Sequence, residues 1–357
     1  MAEQTIPSDA IEVEVRIEPD RAQIADPVLW NDRNTSQTQR MSRNWEFHLA
    51  LGHHWLPQCS TTGVENLRDQ NQTLPLVTRY GTKLISLPYV DYRFEQHFIY
   101  CRVLDGRLHC APLKRDPGRV LDLGTGTGSW AVEFADQHPT TEVLGTDLSP
   151  IQCLSTPQNC TFEIDDFETE WPYPTRPQTG LYDYIHAREI TGSIQDYPKL
   201  FAQAYRHLAP GGFLEMQSMQ TNFFSDDGTR ERAVTAVRWQ EMLVEASRRF
   251  GKELGVEERW RVGMEEAGFV GVKEMVYKVP LSAWPKDPHM KELGRYQAAY
   301  TQEMLQSYSL ALFTRVLGWS KAELDALLEE VGNDLRDPKA HLYAKVRVVY
   351  GQKGESE

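Results

Sequence analysis

The sequence predicts an α/β fold with a mostly parallel sheet and helices on both faces. Short apolar runs alternate with helical segments after Pro117, which is typical of strands joined by right-handed crossovers. A glycine-rich turn follows the first of these runs, and an acidic residue ends the second. Because ligands of such sheets bind outside the carboxyl ends of the strands, we expect the functional site at that edge.

The elements of this core follow from the hydrophobic pattern and from helix stop signals. Pro139 ends the first helical segment, and a Pro-Gly-Gly turn ends the second. The predicted strands cover residues 118–124, 141–149, 160–167, 181–187 and 213–219. The predicted helices cover residues 129–139 and 194–212.

Two regions precede this core. Residues 1–40 are polar and lack apolar periodicity, which predicts a poorly ordered arm. Residues 41–115 are dense in aromatic side chains, and Phe94, Phe98 and Cys101 have helical spacing. We therefore expect a helical cap or lid, and plain packing of this helix against the core is compatible with the same pattern.

The composition excludes several classes of protein. The formal net charge is −13 and no run of five basic residues occurs, which argues against a nucleic-acid-binding surface. The five cysteines form no C-x-x-C pair, which predicts reduced thiols and no metal site. The N-terminus lacks the pattern of a signal peptide, and no segment approaches the roughly 20 apolar residues of a membrane span. We expect a cytoplasmic protein.

The turn after the first strand carries Gly124, Gly126 and Gly128 in the pattern G-x-G-x-G. Glycines allow a tight turn and let a ligand lie against the backbone at a helix N-terminus. Asp147 ends the second strand, 23 residues after Gly124, where a carboxylate can accept hydrogen bonds from both hydroxyls of a ribose. This arrangement fits any adenosine-bearing cofactor.

Further carboxylates narrow the choice of cofactor. A dinucleotide site has the pattern G-x-G-x-x-G, whereas the third glycine here comes one position early. Asp122 before the turn would repel a pyrophosphate and suit an ammonium group. Asp165 and Asp166 end the third strand, where one can accept a hydrogen bond from an adenine amino group while Phe167 lies against the ring. An NAD-dependent dehydrogenase is therefore disfavoured.

The motifs VLDLGTGTGSWA, GTDLSPIQ, FEIDD, YDYIHARE and AYRHLAPGGFLEMQ resemble those of class I S-adenosylmethionine-dependent methyltransferases. The segments LDGRLHCAPL, GFVGVKEMVYKVPLSAWPKD and SLALFTRVLGWSKAEL resemble the LaeA-like fungal methyltransferases, so the resemblance spans residues 80–353. It implies a Rossmann-like, seven-stranded sheet whose last strand, at 341–353, is antiparallel to a partner at 269–280. It also implies a cofactor-binding domain over residues 116–353 with a helical insertion near 285–335.

The resemblance implies S-adenosyl-L-methionine as the cofactor and S-adenosyl-L-homocysteine as its product. Asp122 and the Gly124 backbone would hold the methionine amino group, and Asp147 the ribose. The Arg188 guanidinium would pair with the cofactor carboxylate, the alternative being a surface arginine on a loop. The implied cofactor-binding residues are Asp122, Gly124, Gly126, Gly128, Asp147, Leu148, Asp165, Asp166, Phe167 and Arg188.

Methyl transfer from a sulfonium is an in-line displacement, which needs orientation, exclusion of water, and a base only where the acceptor carries a proton. His186, at the end of the fourth strand, is the candidate catalytic base because its unperturbed pKa lies near neutrality. Tyr184 and Glu189 are alternative bases, and His186 could instead serve as a packing residue. Glu215 and Gln217 share one side of the fifth strand, where one could border the acceptor pocket or be buried.

The sequence favours a small-molecule acceptor, because an aromatic lid over the strand ends would enclose an apolar pocket. The sequence leaves open whether the methyl group goes to an oxygen, a nitrogen or a carboxylate of the acceptor. The resemblance also implies an alternative, since the founding LaeA-like protein regulates fungal secondary metabolism with protein partners. This chain would then act by binding protein partners, and it could be located in the nucleus. A third possibility is a methyltransferase fold that catalyses a reaction without methyl transfer, such as a cyclisation.

Overall fold

The computed structural model describes residues 11–12, 17–19, 76–78, 81–83, 92–114, 116–152, 156–171 and 181–355. The strands are β1 (Ile11–Glu12), β2 (Leu76–Thr78), β3 (Gly81–Lys83), β4 (Arg119–Leu123), β5 (Glu142–Asp147), β6 (Cys160–Ile164), β7 (Tyr182–Arg188), β8 (Leu208–Met219), β9 (Val270–Pro280) and β10 (Tyr343–Gln352). The α-helices are α1 (Tyr92–Val103), α2 (Ser129–Gln137), α3 (Tyr197–His207), α4 (Val234–Phe250), α5 (Trp260–Glu266), α6 (Pro288–Ala311) and α7 (Lys321–Arg336).

The main sheet has the strand order β1-β9-β10-β8-β7-β4-β5-β6. Strands β4 to β8 run parallel, and β10 is inserted antiparallel between β8 and β9. The seven longer strands confirm the predicted Rossmann-like α/β fold, and the two-residue β1 adds an eighth strand at the edge beside β9. The chain runs outward from β4 to β6 and then returns to β7, so the strand order reverses between β4 and β7, where such sheets bind ligands.

Several element ends differ from the sequence prediction. The helix predicted over 194–212 spans only Tyr197–His207, because Asp196 caps its first turn and accepts a hydrogen bond from the Lys199 amide at 2.9 Å. The Pro-Gly-Gly turn lies inside β8, which begins at Leu208. The third strand ends at Ile164, so Asp165, Asp166 and Phe167 belong to the following loop.

The short described pieces of the predicted arm lie against the sheet. Strand β1 pairs with β9, and Pro19 forms an isolated bridge with Pro285. Ile17 is buried beside Val279 and Trp284. The rest of residues 1–40, and residues 41–91 of the predicted cap apart from β2 and β3, lie outside the described residues. The division into arm, cap and binding domain stays a prediction.

Helix α2 packs on one face of the sheet, where Trp130 and Phe134 lie against Val120 and Tyr184. Its buried positions recur at helical spacing, so the apolar stripe faces the strands. The Trp130 and Phe134 rings stack with centroids 4.8 Å apart. This packing fixes the start of α2, which carries the glycine turn, relative to the carboxyl end of β4.

A helical layer of α4, α6 and α7 covers the region beside the carboxyl ends of β7 and β8. Helices α6 and α7 lie between β9 and β10 in the chain and begin at strong caps, Asp287 for α6 and a Ser320–Glu323 capping box for α7. The layer has its own apolar core, which includes Trp239, Leu305, Phe313, Leu324 and Val331. Of the helices that the structure describes, none combines the length and the apolar character that crossing a bilayer requires.

Candidate active site

The glycine turn adopts a backbone conformation that is strained for residues with a side chain. Gly124, Gly126 and Gly128 have φ values of +65°, +59° and +83°, in the left-handed region that favours glycine. A Cβ on Gly124 would lie 2.5 Å from Cγ2 of Ile190, and one on Gly128 would lie 2.4 Å from Cζ of Phe162. The turn therefore presents bare backbone at the N-terminus of α2, where amide groups favour an anionic or polar ligand.

Two carboxylates at neighbouring strand ends hold this turn. The Thr125 hydroxyl donates to Oδ2 of Asp122 at 2.6 Å, and the Gly126 amide donates to Oδ2 of Asp147 at 2.9 Å. The other oxygen of Asp147 accepts the Ser149 amide at 2.9 Å. Asp122 is 2% exposed, whereas Asp147 is only partly buried. Asp147 therefore has lone pairs left to accept hydrogen bonds from a ligand. Asp122 is buried and holds the turn through the Thr125 hydroxyl.

His186 lies beneath the turn and pairs with Asp122. The two residues sit opposite each other on β7 and β4, with 2.7 Å between Nδ1 of His186 and Oδ1 of Asp122. The imidazole is 0% exposed and stacks on Trp130 with centroids 3.7 Å apart. Burial lowers the pKa of His186, so the ring is neutral near pH 7. A carboxylate only accepts hydrogen bonds, so Nδ1 carries the proton.

The loop after β6 places the predicted adenine-binding residues at the same edge. Asp165 accepts the Asp166 amide at 2.9 Å, and Asp166 accepts the Glu168 amide at 3.0 Å, so the loop is held by its own carboxylates. Phe167 is 8% exposed and packs beside Gly124. Leu148, after β5, is 54% exposed, so an apolar side chain stands open at this edge.

Arg188 points toward α1. Its guanidinium contacts Nδ1 of His97 at 3.0 Å and lies over the Tyr100 ring, 4.9 Å from the centroid. His97 in turn contacts Glu133 of α2 through Nε2 at 2.6 Å. Arg188 is therefore part of a network that joins β7, α1 and α2, and it is not a surface arginine on a free loop.

His97, Cys101 and Glu133 bring ligand atoms within 4.8 Å of one another, close enough to hold a metal ion. The hydrogen bond between His97 and Glu133 accounts for two of the three groups. Burial raises the pKa of the Cys101 thiol to about 11, so the thiol keeps its proton near neutral pH. The sequence offered only one signal for this cluster, the spacing of His97 and Cys101 by one helical turn.

A cavity of about 110 Å³ lies beside the carboxyl ends of β7 and β8. It is lined by the inner face of α1, by α4 and α6, and by the turn at Glu257. Its aromatic and sulfur-containing wall includes Tyr100, Met219, Phe223, Trp239, Tyr300 and Met304. The sequence did not reveal this cavity, because its walls come from eight separate parts of the chain.

Two carboxylates lie in the cavity wall. Glu189 follows β7 with a left-handed φ of +57°, and it accepts hydrogen bonds from the Tyr100 hydroxyl and, at 2.7 Å, from the Met219 amide. Such a conformation is strained for a residue with a side chain and is common at functional sites. Glu257 is 1% exposed, and burial raises its pKa to about 7. Glu189, an alternative base in the sequence prediction, thus faces the cavity, whereas Tyr184 is buried away from it.

The model of a methyltransferase domain family matches residues 95–274, half of the chain. The chain belongs to this methyltransferase family. The match covers the glycine turn, both strand-end carboxylates and the Arg188–Glu189 pair. The resemblance predicted from the motifs is confirmed.

Two fungal relatives and one solved structure resemble this methyltransferase. Methyltransferase pytC of Aspergillus terreus is 36% identical over 281 residues, covering 77% of this chain and 85% of the relative. Secondary metabolism regulator LAE1 of Cochliobolus heterostrophus is 34% identical, covering 71% of this chain and 83% of the relative. Haemonchus contortus phosphoethanolamine N-methyltransferase 2, solved with S-adenosyl-L-methionine, gives a TM-score of 0.40 at 19% identity, covering 74% of this chain and 53% of that chain.

Glu215 and Gln217 of this methyltransferase do not border the cavity. Glu215 is 0% exposed and accepts the backbone amides of Cys110 and Ala111 at 2.9 and 2.6 Å. Gln217 is 1% exposed and donates to Leu108 at 3.1 Å. Both side chains hold the segment after α1 against the sheet, so of the two alternatives considered for them, burial is the one observed.

Proposed function

We propose that this methyltransferase transfers the methyl group of S-adenosyl-L-methionine to a small molecule bound in the cavity beside β7 and β8. One observation carries the proposal. The glycine turn and the cavity meet at the same point of the sheet edge, because Gly124 packs against Ile190 and the preceding residue, Glu189, lines the cavity. A cofactor on the turn and an acceptor in the cavity would therefore be neighbours.

The residues at the turn fit this cofactor. Its ribose would bind Asp147, whose carboxylate is partly exposed and has unused lone pairs. Its adenine would lie between Leu148 and Phe167, with Asp165 and Asp166 within reach of the amino group. Arg188 would attract the methionine carboxylate from its place beside His97. When bound, S-adenosyl-L-methionine supplies a methyl group on a positively charged sulfur.

The chain's own contribution is orientation and exclusion of water. The aromatic wall of the cavity would hold the acceptor away from solvent, which is the main requirement of an in-line displacement. We propose that His186, predicted from sequence as the base, acts as a positioning residue, because its imidazole is fully buried and is hydrogen-bonded to Asp122. The groups that face the acceptor are instead Glu189 and Glu257.

Titration calorimetry tests the cofactor half of this proposal. The protein should bind both S-adenosyl-L-methionine and S-adenosyl-L-homocysteine. Asp147→Ala should bind each of them about 10- to 150-fold more weakly, as expected for lost hydrogen bonds to a charged group. Asp325→Ala, an exposed change on α7, should leave both affinities unchanged. Equal binding by wild type and Asp147→Ala, or no binding by wild type, would refute the proposed cofactor site.

A regulatory role through protein partners is a second candidate, favoured by the 34% identity to a secondary metabolism regulator. Under this proposal a stoichiometric partner would co-purify with the chain from its native source. The partner would bind Asp147→Ala as well as it binds wild type, because association would not need the cofactor. If Asp147→Ala instead lost both the partner and the cofactor, the two roles would depend on the same site.

A further inference from the structure

Three side chains in the wall of the cavity hold buried oxygen atoms that have no hydrogen-bond partner among the described residues. These atoms are Oε1 and Oε2 of Glu257, Oε1 of Gln220 and Oε1 of Gln297. The amide nitrogens of the two glutamines already donate, to Glu258 at 3.3 Å and to Thr301 at 2.9 Å. Because buried polar atoms are nearly always paired in folded proteins, these oxygens call for hydrogen-bond donors, from a bound molecule or from water.

The wall is also acidic, and burial raises the pKa of both of its carboxyl groups. Glu257 and Glu189 both line the cavity, and among its described lining residues there is no Lys, Arg or His. Arg347, which attracts Glu257 from β10, already donates to Glu258 at 2.7 Å and to Glu274. A carboxylate buried as fully as Glu257 is costly unless a positive charge or a proton compensates it.

The rest of the wall favours a compact ring or alkyl group. The side chains of Tyr100, Phe223, Trp239 and Tyr300 supply aromatic surface, which attracts a cation as well as an apolar body. The cavity measures about 110 Å³. An apolar cavity of roughly 150 Å³ holds one benzene molecule, so this space suits a molecule with about one ring.

We propose that the acceptor carries a basic amine on a compact apolar body, and that Glu257 is the residue that selects it. The ammonium group supplies N–H donors to the unpaired oxygens of Glu257, Gln220 and Gln297, and its charge balances Glu257. The proposal rests on the proposed function of the cavity as the acceptor site. It goes further by disfavouring carboxylate acceptors, since an anion would add negative charge beside Glu189 and Glu257 with no basic residue in the described wall.

Three one-ring probes test the charge preference: benzylamine, benzyl alcohol and benzoate. Their binding is measured by titration calorimetry at pH 8 on the full chain saturated with S-adenosyl-L-homocysteine. At this pH Glu257 is ionised, because burial, opposed by Arg347 and reinforced by Glu189, sets its pKa at about 7. Benzylamine should bind about ten-fold more tightly than benzyl alcohol, and benzoate more weakly than either.

Glu257→Gln, which keeps the shape and removes the charge, should weaken benzylamine binding about ten-fold and leave the affinities for benzyl alcohol and S-adenosyl-L-homocysteine unchanged. Glu266→Gln, an exposed change of the same charge on α5, should alter none of them.

Three results would overturn the proposal: benzoate binding as tightly as benzylamine, unchanged benzylamine binding by Glu257→Gln, or binding of S-adenosyl-L-homocysteine with none of the three probes. The last result would mean that water satisfies the unpaired oxygens. Failure of wild type to bind S-adenosyl-L-homocysteine would instead refute the proposed function itself.

Discussion

His186 and Asp122 form a buried hydrogen bond between β7 and β4, with 2.7 Å between Nδ1 and Oδ1. The other oxygen of Asp122 accepts the hydroxyl of Thr125, which lies inside the glycine turn. The imidazole is therefore linked to the glycine turn through one carboxylate. Because the ring is also stacked on Trp130 of α2, His186 contacts both sides of the turn that it supports.

This relationship predicts the behaviour of two variants at His186. His186→Ala should lower the free energy of unfolding by about 3 kcal/mol, because it opens a void and removes the hydrogen bond to Oδ1 of the buried Asp122 carboxylate. It should also weaken binding of S-adenosyl-L-homocysteine. His186→Asn, whose amide can replace the Nδ1 donor, should recover part of both losses. Urea unfolding and titration calorimetry provide the two measurements.

A role of His186 as catalytic base gives a different pattern. Both variants would then bind S-adenosyl-L-homocysteine like wild type and would lose turnover equally, since neither Ala nor Asn takes up a proton. Such a result would contradict the positioning role.

Gly128→Ala should destabilise the protein by about 3 kcal/mol. The left-handed φ of +83° alone costs about 1 to 2 kcal/mol for a residue with a Cβ, and the overlap with Phe162 adds to it. Gly106→Ala is the matched control, because its φ is +77° and its Cβ would meet nothing within 4 Å. It should cost only about 1 kcal/mol in urea unfolding. If the two variants lost the same free energy of unfolding, the Phe162 ring would move away from the new Cβ without an energetic cost.

Leu148→Ser should weaken binding of S-adenosyl-L-homocysteine about five-fold. Leu148 is 54% exposed, and covering its open half with a base would gain about 1 kcal/mol at 25 cal/mol per Å² of apolar surface. Leu310→Ser, at a side chain that is 42% exposed on α6, is the control and should not change the affinity. Unchanged binding by Leu148→Ser would place the adenine elsewhere.

The raised pKa of Glu257 predicts that the free energy of unfolding falls as pH rises. Its pKa is about 7 in the folded chain against an ordinary value of 4.5, so from pH 4.5 to 7 the folded state binds more protons than the unfolded state. The cost is absent below pH 4.5 and complete above pH 7, where it reaches about 3 kcal/mol.

Glu257→Gln removes this cost. Compared with wild type, the variant should gain about 3 kcal/mol in urea unfolding at pH 8 and almost nothing at pH 4.5. Glu266→Gln should follow wild type at both values of pH. If the free energies of unfolding of wild type and Glu257→Gln changed by the same amount between pH 4.5 and pH 8, Glu257 would not be a buried, uncompensated carboxylate.

The parts of the site that the sequence predicted are those encoded within a few residues. Gly124 to Gly128 and Asp147 stand at strand ends, where apolar runs stop, so pattern alone located them. Glu257 could not be located in this way, because its environment depends on α1, α6 and the ends of β7 and β8, which lie far apart in the chain. The pairing of His186 with Asp122 could not be located in this way either, since Asp122 lies 64 residues away on a neighbouring strand.

The antiparallel strand β10 has a consequence for biosynthesis. It lies between β8 and β9 and is the element through which β9 joins the parallel strands. While a ribosome is still making the segment before Tyr343, β9 has no place in the sheet, and the edges of β8 and β9 are open to other chains. The sheet can therefore close only after β10 has emerged, and until that point the nascent chain carries open strand edges of the kind that favour aggregation.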